Sequence, residues 1–195
     1  MQWGILWIVC WSIWKPTRPG LARCYRQLGL IAWQQGDAEH AVAWILKCLP
    51  LFEALQDYSS VATVFRDLGS IAHSRQDLEE AADWQFKSIA ISERLEDWAG
   101  LASAYQEVAL IAEAYGQAEE ALDWIVRSLA IAFRSSGPPP EGTLYEFGRL
   151  GSKFGDRLLE QVWMNVLGEA LPGEVRSIVH QYRELEDTEQ DSSHD

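Results

Sequence analysis

Positive charge is scarce in this chain: 16 Lys and Arg stand against 29 Asp and Glu, a formal net charge of −13 over 195 residues. Phosphate backbones demand clustered cations, so a general nucleic-acid binder is excluded. Cysteine is scarce too. Cys10, Cys24 and Cys48 show no C-x-x-C spacing, which leaves neither a disulfide framework nor a zinc site, and no metal ligation is predicted. Reduced, buried cysteines suit a cytoplasmic chain better than a secreted one. His40, His73, His180 and His194 are widely separated, no H-E-x-x-H or G-x-S-x-G occurs, and the 14 Gly form no phosphate-cradling loop. No enzyme activity and no cofactor are therefore expected. Glu79-Glu80 and Glu119-Glu120 are paired carboxylates, but each pair opens a predicted helix, where the positive end of the dipole favours acids.

A long hydrophobic run is missing as well. The stretch from Trp3 to Trp14 is apolar apart from Ser12. About twelve helical residues reach only about 18 Å against about 30 Å of hydrocarbon, so no stable membrane span is expected. No Lys or Arg precedes the run, and Lys15-Pro16-Thr17-Arg18-Pro19 lacks a small-residue cleavage pattern, which disfavours a signal peptide.

Apolar and aromatic residues, in contrast, are plentiful: 48% of the chain is hydrophobic and ten residues are Trp, ample for a packed core. Trp3, Trp7, Trp11 and Trp14 fall at intervals of four, four and three, which stacks four indoles on one helical face. The other face is apolar too, so the plain reading is a buried helix left from an upstream repeat. The functional reading is an exposed surface that docks a partner or a second copy, a route to self-association. At the other end, 184–195 holds six acids and no Lys or Arg, with no large apolar residue after Leu185. Such a segment buries too little to offset its ordering entropy, and 186–195 reads as a disordered acidic tail.

Between these ends the chain repeats itself at an offset of 40. Leu28-Gly29-Leu30-Ile31-Ala32 meets Leu68-Gly69-Ser70-Ile71-Ala72 and then Val108-Ala109-Leu110-Ile111-Ala112. Glu39, Glu79 and Glu119 coincide, as do Ala41, Ala81 and Ala121, then Trp44, Trp84 and Trp124, then Lys47, Lys87 and Arg127. Residues 28–57 and 68–97 are identical at 12 of 30 positions, and 68–97 and 108–137 at 11 of 30. Chance would give about two, so the repeat decides the architecture.

Each unit reads as two helices, all-α throughout. First helices are expected near 19–35, 58–75 and 98–115, and second helices near 38–56, 78–96 and 118–134. Asp77 with Glu80 resembles a capping box, and Asp57 and Asp97 stand where they cap the next first helix. Pro50, inside a second helix, predicts a kink or an early end. Ser135-Ser136-Gly137-Pro138-Pro139-Pro140-Glu141-Gly142 breaks the pattern. The partition is a Trp-rich helix at 1–18, repeats at 19–57, 58–97 and 98–135, a Pro/Gly loop at 136–142, a degenerate repeat with capping helices at 143–185, and the tail.

At Leu28-Gly29, Gly36-Asp37, Ala41 and Trp44, and again around Leu68, Asp77, Ala81 and Trp84 and around Val108, Gly116, Ala121 and Trp124, the chain resembles the tetratricopeptide repeat family in a forty-residue form. The resemblance covers about 20–135. It departs at Ala32, Ala72 and Ala112, where the shorter form favours Tyr, and at Ala109, where Gly is usual. It implies an α-solenoid of antiparallel helix pairs wound as a right-handed superhelix, with small residues at the close approaches and the Trp ladder filling the wider gaps. It also implies a protein or peptide partner in a concave groove lined by the first helices. Carried over by face, that groove comprises Arg23, Arg26, Leu30 and Trp33, then Thr63, Arg66, Ser70 and His73, then Ser103, Gln106, Leu110 and Glu113, basic at one end and acidic at the other. Arg23, Arg26 and Arg66 suit carboxylates of a peptide, with solvated arginines or local ion pairs as the plainer alternative. The Asn and Lys set with which some members grip a C-terminal carboxylate is absent. The expected function is a non-catalytic scaffold or adaptor. The alternative is a regulatory or sensor fragment of a larger bacterial signalling ATPase or protease-like protein, since such arrays resemble this one.

Overall fold

The computed structural model describes residues 18–134 and 141–192, with side chains described for 19–133 and 141–183. Helices follow one another as α1 (Arg18–Gln34), α2 (Ala38–Ala54), α3 (Tyr58–Ser74), α4 (Leu78–Leu95), α5 (Trp98–Ala114), α6 (Ala118–Arg134), α7 (Glu141–Phe154), α8 (Asp156–Leu167) and α9 (Gly173–Ser192). No strand occurs among the described residues. Each of the first six helices packs most closely on its chain neighbours, which makes the array an all-α solenoid of helix pairs.

The turns between these helices are one device repeated every twenty residues. Gly36, Gln56, Gln76, Glu96 and Gly116 all adopt left-handed backbone, with φ between 54° and 81°. Behind each, the following amide bonds back to the carbonyl five residues earlier: Asp37 to Ala32, Asp57 to Phe52, Asp77 to Ala72, Asp97 to Ser92 and Gln117 to Ala112. This closes the outgoing helix as a Schellman motif. The same aspartates then start the incoming helix, their carboxylates accepting from the amides of His40, Ser60, Glu80 and Gly100. One Asp therefore satisfies orphan groups of two helices, and each cap contributes about 1 kcal/mol.

Packing within a pair depends on small residues at the crossing. A Cβ added at Gly29 would stand 2.5 Å from Ile45 Cγ1 and 3.0 Å from the Ala41 carbonyl oxygen; one at Gly69 would stand 2.5 Å from Gln85 Nε2. Ala41, Ala81 and Ala121 are fully buried opposite them. The Trp ladder is half-buried rather than central. Trp44 stacks on Tyr25 (5.6 Å), Trp84 on Phe65 (5.4 Å) and Trp124 against Tyr105 (5.1 Å). Lys47 and Lys87 lie 3.9 Å from the Trp44 and Trp84 ring centroids, and Arg127 lies 6.0 Å from that of Trp124. Each indole thus bridges a first-helix aromatic and a surface cation.

Several expectations need correction. Pro50 does not end its helix, which continues to Ala54. Pro50 and Leu46 both lie on the exposed side, where a displaced carbonyl still reaches solvent. Glu141 and Gly142 belong to α7 rather than to the loop. The last helix continues to Ser192, into the segment expected to be disordered. Glu, Gln and Arg are good helix formers, and once α9 is docked each added residue escapes the nucleation penalty.

The fourth unit is not an ordinary pair. Only Gly155 (φ 86°) separates α7 from α8, too short a link for an antiparallel hairpin, so α8 packs its Leu159, Val162 and Trp163 into the core that α6 and α7 share. The helix lying along α7 is α9: a Cβ on Gly148 would stand 3.0 Å from Tyr182 Cβ, and one on Gly151 2.9 Å from Val179 Cγ2. The last helix thus takes the place that a second helix has elsewhere.

Candidate functional site

The twelve face residues come from α1, α3 and α5, at spacings of three, four and three that hold them on one stripe of each helix. Arg23 is exposed and the other eleven are half-buried. Side chains on this stripe reach from one first helix to the next. Arg26 of α1 donates to both carboxylate oxygens of Asp67 on α3, at 2.6 and 3.2 Å, and Trp33 Nε1 donates to Ser74 Oγ at 3.3 Å. Thr143 Oγ1 of α7 donates to Gln106 Oε1 of α5 at 3.0 Å. Arg149 Nη1 and Lys153 Nζ of α7 donate to Glu113 Oε1 at 2.8 and 2.6 Å.

These contacts change the expected charge pattern. The acidic end is closed: Arg149, and after it Lys153, hold the Glu113 carboxyl down at about 2. At the basic end Arg26 is the local ion pair of the plainer alternative, its partner Asp67 being largely buried. Arg23 and Arg66 make no salt bridge to any described residue. Between the ends lies Glu107. Burial pushes its carboxyl up, against the opposing pull of His73, a hydrogen bond from Ser70 and the Arg66 charge, while Glu146 pushes it further up.

Asp67, Glu107, Glu146, Arg149 and Lys153 were not singled out from sequence. A signal was present, because Gln27, Asp67 and Glu107 follow Arg26, Arg66 and Gln106 at the same register position, and Glu146 follows at an offset of 39. Position in one stripe says that such residues meet; only the stack says that they pair.

A cleft of about 290 Å³ lies between α1 and α3, lined by Arg23, Arg26, Gln27, Phe52, Ser60 and Thr63. It brings together three of the face residues, two arginines and a hydroxyl, over an aromatic ring. Trp3, Trp7, Trp11 and Trp14 lie outside the described residues. Among the described residues no His, Cys, Asp and Glu group is placed to hold a metal ion, and no helix is long and apolar enough to cross a membrane.

Stacked helix pairs with a continuous side-chain band along the first helices define a solenoid scaffold of the protein-interaction type. Two tetratricopeptide repeat models match the chain, at residues 22–53 and 60–132, and the chain belongs to the tetratricopeptide repeat family. Among solved structures it is similar to BtubC (BKLC) from P. vanneervenii, with a TM-score of 0.64 and 17% identity over 87% of this chain and 67% of that one. The apo form of RapI is similar at 0.64 and 13% identity, over 86% of this chain and 58% of its own. A putative kinesin light chain from Podosopora anserina with nearly identical TPR-like repeats gives 0.57 and 17% identity, over 88% and 81%. At these identities the likeness shows the fold. No curated protein matches the chain.

Proposed function

We propose that the chain is a non-catalytic adaptor that holds a carboxylate-bearing peptide or protein segment along the face of α1, α3, α5 and α7. The cleft at the α1–α3 end carries the reading, because its Arg23 makes no salt bridge to any described residue, and Arg66, further along the same face, makes none either, while Arg26 and Glu113 are engaged within the chain. A guanidinium recognises a carboxylate through two parallel hydrogen bonds, and Phe52 offers an apolar floor beside it. Curvature supports the choice of face. First helices touch across units, α3 with α5 and α5 with α7, whereas α2, α4 and α6 do not approach one another comparably. That closer approach supports reading the first-helix side as the hollow one.

The test uses the full chain as bait for a displayed library of random peptides. Selected peptides are then titrated by fluorescence anisotropy against the wild type and an Arg23→Glu, Arg66→Glu double variant. The expected outcome is enrichment of Asp and Glu, and about tenfold weaker binding by the variant with far-ultraviolet circular dichroism unchanged. Peptides without acidic residues, or equal affinity for both proteins, would refute the assignment. Arg26→Glu is a poor probe, since it places a second carboxylate against Asp67 and disturbs the stack itself.

A further inference from the structure

Three interfaces between first helices run along the face, and the middle one holds a cation and a carboxylate that do not pair. At the first, Arg26 of α1 closes on Asp67 of α3, 41 residues further on, with bonds of 2.6 and 3.2 Å. The same two register positions in the next unit are Arg66 of α3 and Glu107 of α5, again 41 residues apart. Here no salt bridge forms, although the Arg66 charge acts on Glu107. At the third, Gln106 stands at the arginine position and accepts from Thr143 of α7 at 3.0 Å. The first and third interfaces are thus closed within the chain, and the middle one is not.

One difference between units accounts for this. Ser70 of α3 stands where α1 has Leu30. Its hydroxyl donates to the Glu107 carboxylate, a bond for which Leu30 has no atom, so Glu107 is drawn towards Ser70 and away from Arg66. Among the described residues, Arg66 and His73 of α3 favour the ionised form of Glu107 and Glu146 of α7 opposes it, while α4 and α6, which also pack on α5, supply no charge that acts on it. Glu146 is held by Arg149 at 2.8 Å and Asp67 by Arg26, which leaves Glu107 to compete for Arg66.

We infer, resting on the carboxylate-peptide reading above, that Glu107 is the internal competitor for Arg66: when a partner's carboxylate takes the guanidinium, Glu107 takes a proton from solvent, and capture is proton-linked. The proton adds to one carboxylate oxygen of Glu107, and no covalent bond of the partner changes. The sign follows from the charges. While Arg66 is unoccupied it helps to keep Glu107 ionised; a bound carboxylate cancels that attraction and brings a further negative charge close. Burial already holds the Glu107 carboxyl above its ordinary 4.5, and both changes raise it further. The complex therefore holds more protons than the free chain. Affinity is highest at low pH and falls as pH rises from the free-chain value of Glu107 to its value in the complex.

The experiment follows binding of a fluorescein-labelled hexa-aspartate peptide to the full chain by anisotropy, between pH 6 and pH 8 at constant ionic strength. The wild type is expected to bind about fivefold more tightly at pH 6 than at pH 8. Glu107→Gln should bind at pH 8 as tightly as the wild type does at pH 6, and vary by less than about twofold over the range. Glu119→Gln removes the same charge from an exposed site on α6 and should follow the wild type. Ser70→Leu restores the side chain of the first unit, so Glu107 closes on Arg66 and binding at pH 8 weakens by about threefold. His73→Gln tests the imidazole, which can also take up a proton, and should retain the pH dependence. Binding that needs Arg23 and Arg66 but is flat with pH, a Glu107→Gln profile with the wild-type slope, or a slope lost only in His73→Gln would overturn this inference and leave the carboxylate reading standing. Absence of binding, or equal binding by the Arg23→Glu, Arg66→Glu double variant, would overturn both.

Discussion

Gln85 is fully buried where the flanking units have Ile45 and Ile125, also fully buried. Its Nε2 donates to the Arg66 carbonyl at 3.3 Å, a long bond, and its Oε1 has no partner among the described residues. Replacing Gln85 by Ile removes that bond, worth about 0.5–1.5 kcal/mol, and leaves the Arg66 carbonyl with its helical partner inside α3. The same change removes a buried acceptor whose desolvation costs about 1–3 kcal/mol and adds apolar packing. Shape does not oppose it, because Ile45 already packs over Gly29 as Gln85 does over Gly69. The net expectation is stabilisation by about 1–2 kcal/mol, a rise in Tm of about 2–8 °C for a chain of this size. Urea titration followed by circular dichroism checks it: the midpoint rises with the slope unchanged. A lower midpoint would show that the amide is satisfied in solution and that the argument from register is wrong.

Acid titration should single out Glu113. Its carboxyl is lowered from 4.5 to about 2 in the folded chain, so its stabilisation is complete above about pH 4.5 and fades as pH falls towards about 2. Glu113→Gln is expected to lose about 1.5 kcal/mol at neutral pH, with the gap to wild type closing by pH 2 in paired urea titrations; a constant gap would contradict it. Glu107 has the opposite sign. Its raised carboxyl means stability that is full at low pH and falls as pH rises through the folded value, so Glu107→Gln should match wild type near pH 3 and exceed it at pH 8. Gln76 holds φ of 63°, a conformation Gly adopts without steric cost. Gln76→Gly should stabilise by about 0.5 kcal/mol after the unfolded-state entropy of Gly is counted, while Gly36→Ala should destabilise by about 1 kcal/mol, both read from thermal melts.

The three helix pairs and their caps were legible because their causes are local. A capping carboxylate binds an amide three residues on and a Schellman turn spans six, so Asp57, Asp77 and Asp97 announced their roles in the sequence. The close approaches at Gly29 and Gly69 followed from repetition, since one small residue recurring at one place implies one recurring contact. The charge of the candidate face was not legible. Arg26 and Asp67 are 41 residues apart, and Glu113 and Arg149 are 36 apart, distances that only the stacking of successive first helices closes. Nor was the last turn of the array legible. The short link at Gly155 diverts α8 onto the shared core, and α9 then lies along α7, where Gly148 accepts it.

By itself the sequence determined the repeat, the family, the turns and caps between the first six helices and the small residues at each crossing, because backbone hydrogen bonds and a forty-residue period act within a few turns of chain. Which charges neutralise one another and which helix covers α7 were decided only in the tertiary structure. Those outcomes depend on side chains from different units meeting in space, and the same residue type ends paired, buried or free according to what the neighbouring unit presents.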